Sequence, residues 1–300
     1  MSKFAKSRRI CFLSLGVLSI IASKGVHAQL KALEDSEMSR VSGQGVVAFD
    51  VVEVAGGASF TKVTMGLNTD IQVNADRAVF GEYELMEGAT GSDVNISNIS
   101  LGHISTDASK VELDGKTYAV NEIVPFEGID PYFEISQDSG GDLVGFRVGF
   151  SQARGSLSGD ISSFTGNIGL KLDDGSGEVK DAQLLTNAGL ANSRRATHIG
   201  LESETTDCFS LSNCAPLSNL KTLDVGMDTG TGSVDFTQDL FFSYQKQATD
   251  WQIKGGAETI TANPGVFMNI PTSMTLDMTQ LTNGLSRART EYIDRGVGVF

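Results

Sequence analysis

The chain has 300 residues, with 23 Lys and Arg against 37 Asp and Glu, for a formal net charge of −14. That sign of charge repels nucleic acid and anionic membrane surfaces, so neither is expected as a partner. It favours solubility, and the acids read first as a solvated surface.

The chain opens on "MSKFAKSRR", which carries Lys3, Lys6, Arg8 and Arg9 and no acid. The apolar run "ICFLSLGVLSIIA" follows, then "SKGVHA", with small residues Val26 and Ala28 before a cleavage point. This layout predicts a signal peptide over residues 1–28, too short in its apolar part to span a bilayer. "SRRICFL" falls one residue short of a twin-Arg export signal, so both export routes stay open. Cleavage would remove five basic residues and no acid, leaving 18 against 37, a net charge of −19. The expected location is outside the cytoplasm: periplasm, cell surface or secreted. No later stretch approaches twenty apolar residues, so no transmembrane helix is expected after cleavage.

Residues 29–45 contain "LKALEDSEMSRVSGQG". Asp35 can cap a helix, Met38 and Val41 share a face, and Gly43 suits its end. The spacing predicts a short helix of about two turns, too short to stand alone.

Residues 46–300 read as a β-rich domain. In "LNTDIQVNAD", Leu67, Ile71, Val73 and Ala75 alternate with polar residues, the period of a half-buried strand. "KVELDGKTYAV" places Asp114-Gly115 where a tight hairpin turn needs positive φ. "LVGFRVGF" puts Val144, Phe146, Val148 and Phe150 on one face and Gly145, Arg147 and Gly149 on the other. "GSLSGDISSFTGNIGLKL" continues the style, and "LFFSYQ", "DWQIKG" and "SMTLDM" supply later strand candidates. With 34 Gly and only 5 Pro, the sheet is interrupted by Gly turns and bulges. The fold class expected is all-β: a long-stranded antiparallel sandwich or incomplete barrel, with a β-solenoid as the alternative.

Residues 189–220 break the pattern. They are polar, hold Arg194-Arg195 and contain Cys208 and Cys214, the only cysteines left after leader cleavage. An even count in an exported chain points to a disulfide, which in a ring this small contributes roughly 2–2.5 kcal/mol by the loop-entropy model. The segment is read as a stapled excursion. Arg194, Arg195, Phe209 and Leu211 are its candidate partner-binding residues, against the plainer role of a disulfide-tied connector.

No catalytic, metal or cofactor motif stands out. His103 and His198 sit in no metal or triad motif, and "GSLSG" centres on Leu157 rather than a nucleophilic Ser. One His near two Cys is a poor zinc case. Glu122, Glu127, Asp130 and Glu134 cluster in "NEIVPFEGIDPYFE", which keeps a carboxylate-dependent glycan hydrolase as an alternative. "DSGGD" and "DDGSG" match no full calcium loop and read as turns. An outer-membrane barrel is the other alternative. Gly296 and Gly298 fall where its last strand would alternate apolar residues, and one Trp with five Tyr is thin for aromatic girdles.

Several stretches carry a resemblance. Leu33-x-Asp35, Met38, Val41 and Gly43-Gln44, then "GLNTDIQVNADRAVFGEYE", "ISLGHI", "DPYFE", "VGFRVGF" and "LSGDISSFTGNI", occur in an order that resembles the FilA-like pilus-system family of exported bacterial proteins. The resemblance implies export and association with a pilus system, and it supplies no catalytic residues. The function expected is therefore a non-enzymatic structural, accessory or adhesin-like component. Its partners would be other pilus-system or envelope proteins, with no cofactor; the oligomeric state is left open.

Overall fold

The computed structural model describes residues 47–54, 56–84, 91–202, 208, 213–228 and 234–291, all within a compact unit spanning Gly45–Phe300. The leader, the helical motif expected over 29–45, Phe209, Leu211 and the last nine residues lie outside the described residues.

The architecture is organised by one strand, Leu143–Ser163, 21 residues long. Its first half lies between Phe126–Gln137 and Thr237–Gln245, antiparallel to both. Outward from Phe126–Gln137 come Ser59–Met65 and then Val47–Glu53. On the other side, Thr237–Gln245 pairs with Gly265–Ile270, which takes Gly166–Ile168 in parallel. The second half of the long strand changes neighbours. It pairs with Ser92–Leu101, itself paired with Val73–Glu82, and on its other side with Thr222–Val225. Two halves of a sandwich thus share one strand, and among the described residues the sheet does not close into a barrel. The pairs of the long strand are all antiparallel, and those with Thr222–Val225 and Thr237–Gln245 are distant in sequence, unlike the stacked parallel coils of a solenoid.

The change of sheet happens at Gly155, where φ is +136° and a Cβ would stand 2.9 Å from the Phe126 Cα. Only glycine combines that dihedral with so close an approach. The same line is crossed at Gln72: Ile71 pairs with Phe126, whereas Val73 pairs with Leu101 in the other half. The single strand expected over "LNTDIQVNAD" is therefore two, Asn68–Ile71 and Val73–Glu82. Its period two is present, but Leu67 and Val73 are exposed, because these segments lie at the sheet's margin.

The main core draws on both halves: Val94, Ile96, Phe126, Leu157, Ile161 and Leu223 lie in it, with Leu240 and Ile270. A second, smaller core sits on the outer face of the first half. There Phe60, Tyr132, Phe241, Trp251 and Phe267 are covered by the hairpin Thr249–Ile253/Glu258–Ala262.

Local chemistry explains two smaller departures and one agreement. Asp114-Gly115 makes its turn, with Gly115 at φ +80°, but closes only the single bridge Val111–Thr117. "SMTLDM" contributes a strand of only three residues, Thr275–Asp277. Asp277 then caps the helix Met278–Asn283 reciprocally with Gln280, and Leu281 anchors that helix in the core. The Asp-rich turns are closed by their own side chains: Asp138 accepts from the amides of Gly140 and Asp142, and Asp174 from that of Ser176.

Candidate functional site

The face of the first half opposite the small core is only partly covered. Phe133, Val148 and Tyr244 remain exposed there, and Phe146 lies between Phe133 and Tyr244 with ring centroids 6.0 and 6.1 Å away. The surface continues over Phe49, 73% exposed, and Val51, 62% exposed, on the strand Val47–Glu53. Exposed apolar side chains are thus adjacent on this face rather than scattered singly. The face adjoins a sheet edge with no ladder partner among the described residues.

The pattern in "LVGFRVGF" is as read, and Val144 is buried as expected, but at the centre of the run the burial is inverted. Phe146 and Val148 face outward, while Arg147 is 2% exposed. Its Nε donates to Glu134 Oε2 and its Nη2 to the Gln252 carbonyl at 2.7 Å. The guanidinium stands 5.0–5.4 Å from the ring centroids of Tyr132, Phe241 and Trp251. Lys62 lies 4.0 Å from the centroid of the same Tyr132 ring, and burial with Arg147 nearby lowers its pKa against the pull of Glu134, Asp239 and Asp50. Burial raises the pKa of the Tyr132 phenol, whose hydroxyl has no hydrogen-bond partner among the described residues. The register sets these charges in one row across four adjacent strands: Asp50 opposite Lys62, Lys62 opposite Glu134, Glu134 opposite Arg147.

A second constellation lies near the corner of the sheets. His103 Nδ1 is 2.9 Å from Ser156 Oγ, and His103 Nε2 is 3.4 Å from Glu112 Oε2, which also takes Lys110 Nζ at 2.8 Å. This is the order nucleophile, base, orienter used in acyl transfer. All three side chains are buried, and the cavity beside them, lined by His103, Asp114, Glu127, Arg154 and Ser156, measures about 10 Å³. That space fits about one water and no acyl group. The triplet instead ties the loop carrying Glu112 to the sheet. Its residues are scattered along the chain, so no local motif could announce it.

Asp224 faces Ser156 across the ladder, and burial pushes its carboxyl up, with Lys110 and His103 opposing and Glu112 adding to the shift. The native state then holds this proton more tightly than the unfolded chain, so stability falls as pH rises from the ordinary carboxylate range through the folded value. Asp224→Asn should therefore raise the urea midpoint at pH 7, and the gain should vanish near pH 3. An unchanged midpoint at pH 7 would show that the carboxyl is not held in this way.

A cleft of about 550 Å³ lies beside Phe236, Asp239, Lys254, Glu258, Asn167 and Asn269. Its polar groups mostly satisfy one another. The Lys254 amide donates to Asp239 Oδ2 at 2.7 Å, Asn269 Nδ2 to the Asp239 carbonyl at 2.8 Å, and Asn167 Nδ2 to Asn269 Oδ1 at 3.0 Å.

The sequence-predicted site residues distribute as follows. Cys208 and Cys214 are at bonding distance, 2.06 Å between sulfurs, and pack against Leu185. Arg195 turns inward. Its Nε donates to the fully buried Asp93 at 3.1 Å and its Nη2 to the carbonyls of Tyr83 and Gly81 at 2.7 and 3.2 Å, with the guanidinium over the Tyr83 ring. Arg194 Nη2 donates to Tyr83 Oη at 2.9 Å. Both arginines thus clamp the hairpin Val73–Glu82/Ser92–Leu101 to the excursion, while Phe209 and Leu211 lie outside the described residues. The excursion itself is partly sheet: His198–Gly200 pairs with both Gln183–Leu185 and Cys214–Pro216. Of the clustered acids, Glu127 is held by Arg154 and Glu134 by Arg147, while Glu122 accepts from the Ala119 amide.

Among the described residues no helix is long and apolar enough to cross a membrane, and no group of three His, Cys, Asp or Glu is placed to hold a metal ion. The chain matches no family model, no curated protein and no solved structure.

Proposed function

We propose that this chain is an exported, non-enzymatic component of a pilus-associated system that works by binding envelope or pilus partners, as an accessory or adhesin-like protein. The observation that supports this reading is the exposed apolar face of Phe49, Val51, Phe133, Val148 and Tyr244, beside an edge with no ladder partner among the described residues. Its test is a deletion strain complemented with the wild type or with Phe133→Ser/Val148→Ser/Tyr244→Ser. These exposed positions should not disturb the cores. The deletion should lose pili or pilus-dependent adhesion, the wild type should restore them, and the exported, folded triple variant should not. Full rescue by the variant, or retention of the wild type in the cytoplasm, would overturn the proposal.

A serine-hydrolase reading would have to rest on the Ser156–His103–Glu112 triplet, whose adjoining cavity of about 10 Å³ weighs against it. Treating the same purified protein with a fluorophosphonate separates the two: labelling of Ser156 would favour the hydrolase, whereas an unlabelled Ser156 agrees with the binding role.

A further inference from the structure

The row of charges described above belongs to a wider pattern. Four adjacent strands of the first half each contribute one charged residue between two neighbours that face the apolar surface: Phe49-Asp50-Val51, then Thr61-Lys62-Val63, then Phe133-Glu134-Ile135, then Phe146-Arg147-Val148. The sign alternates from strand to strand. The series ends on one side at Phe242-Ser243-Tyr244, where the central residue is neutral and the sheet continues into the core. On the other side it ends at Asp50, on a strand with no outer partner among the described residues. All residues of that strand except Val52 are exposed. An open edge is a template for a further strand, and directly opposed residues favour opposite charge and penalise like charge.

We propose that the edge Val47–Glu53 accepts an extended segment of a partner protein in which a Lys or Arg stands between two apolar residues. The cation would lie opposite Asp50, and its apolar neighbours would lie opposite Phe49 and Val51 and extend the exposed face. Main-chain hydrogen bonds would supply affinity and the alternating side chains selectivity, as in other strand-addition complexes. A second copy of this edge is not the complement, because Val47–Glu53 carries Asp50 and Glu53 and no cation. The proposal rests on the partner-binding reading and specifies the chemistry of what is bound.

The test uses the exported protein and two short peptides of alternating Thr and Val, one with Lys at its centre and one with Glu. The Lys peptide should bind about three- to tenfold more tightly in fluorescence anisotropy, and the gap should narrow at high salt. Amide exchange in residues 47–53 should slow on binding. Asp50→Lys, at an exposed edge position, should leave the circular dichroism unchanged and invert the preference. Binding of neither peptide, equal binding of both, a preference that survives Asp50→Lys, or a homodimer that protects the same amides would each overturn the proposal. The partner reading fails separately. If the triple variant on the apolar face still loses adhesion while the edge ignores both peptides, strand addition is wrong and partner binding stands.

Discussion

Arg147→Met should destabilise the protein by about 3–5 kcal/mol, because it leaves the Glu134 carboxylate buried without its cation. Glu134→Leu should cost a similar amount by stranding Arg147 among three aromatic rings. The double variant should recover most of the loss, since an apolar pair of similar volume often replaces a buried ion pair at little cost. Trp251, the only tryptophan and fully buried 5.1 Å from the guanidinium, makes its fluorescence in urea a direct readout. Single variants within about 0.5 kcal/mol of wild type, or a double variant as unstable as the sum of the two, would show that the pair is not an isolated buried unit.

Gly155→Ala is expected to cost about 3 kcal/mol or more. An L residue is strained at φ +136°, and its Cβ would stand 2.9 Å from the Phe126 backbone where the two halves of the sandwich divide. Gly141→Ala is the control. Its φ is +84°, but a Cβ there meets nothing within 4 Å, so only the dihedral penalty of about 1–2 kcal/mol applies. Equal losses at the two positions would mean that crowding at the corner contributes nothing.

The all-β class and the period-two strands were legible in the sequence, but which face is buried was not. In "LVGFRVGF" the alternation is correct, yet hydrophobicity alone would bury Phe146 and Val148 and expose Arg147. The structure does the reverse, because Glu134, the Gln252 carbonyl and three rings, all contributed by other segments, solvate the guanidinium. In the same way, Arg194-Arg195 looked like a free cationic pair in a loop, and its acceptors at Asp93 and Tyr83 lie about a hundred residues away. The break at Gln72 and the Ser156–His103–Glu112 triplet also depend on long-range pairing that no window of sequence contains. Three of the four alternating triplets, in contrast, are visible locally as apolar-charge-apolar, and the fourth, Thr61-Lys62-Val63, differs only at Thr61. Only the register makes them a series.

The shared strand has a consequence for the order of assembly. Leu143–Ser163 finds Phe126–Gln137 and Ser92–Leu101 already behind it in the chain, but Thr222–Val225 and Thr237–Gln245 come later. The Asp93 carboxylate waits longer still, for the amide of Val266, 173 residues downstream. A chain that emerges N-terminus first therefore cannot close either half of the sandwich until nearly all of it has appeared, and pairing across such separations is intrinsically slow. The last strands to arrive, Thr222–Val225, Thr237–Gln245 and Gly265–Ile270, are thus the ones that complete both ladders of the shared strand and its neighbours.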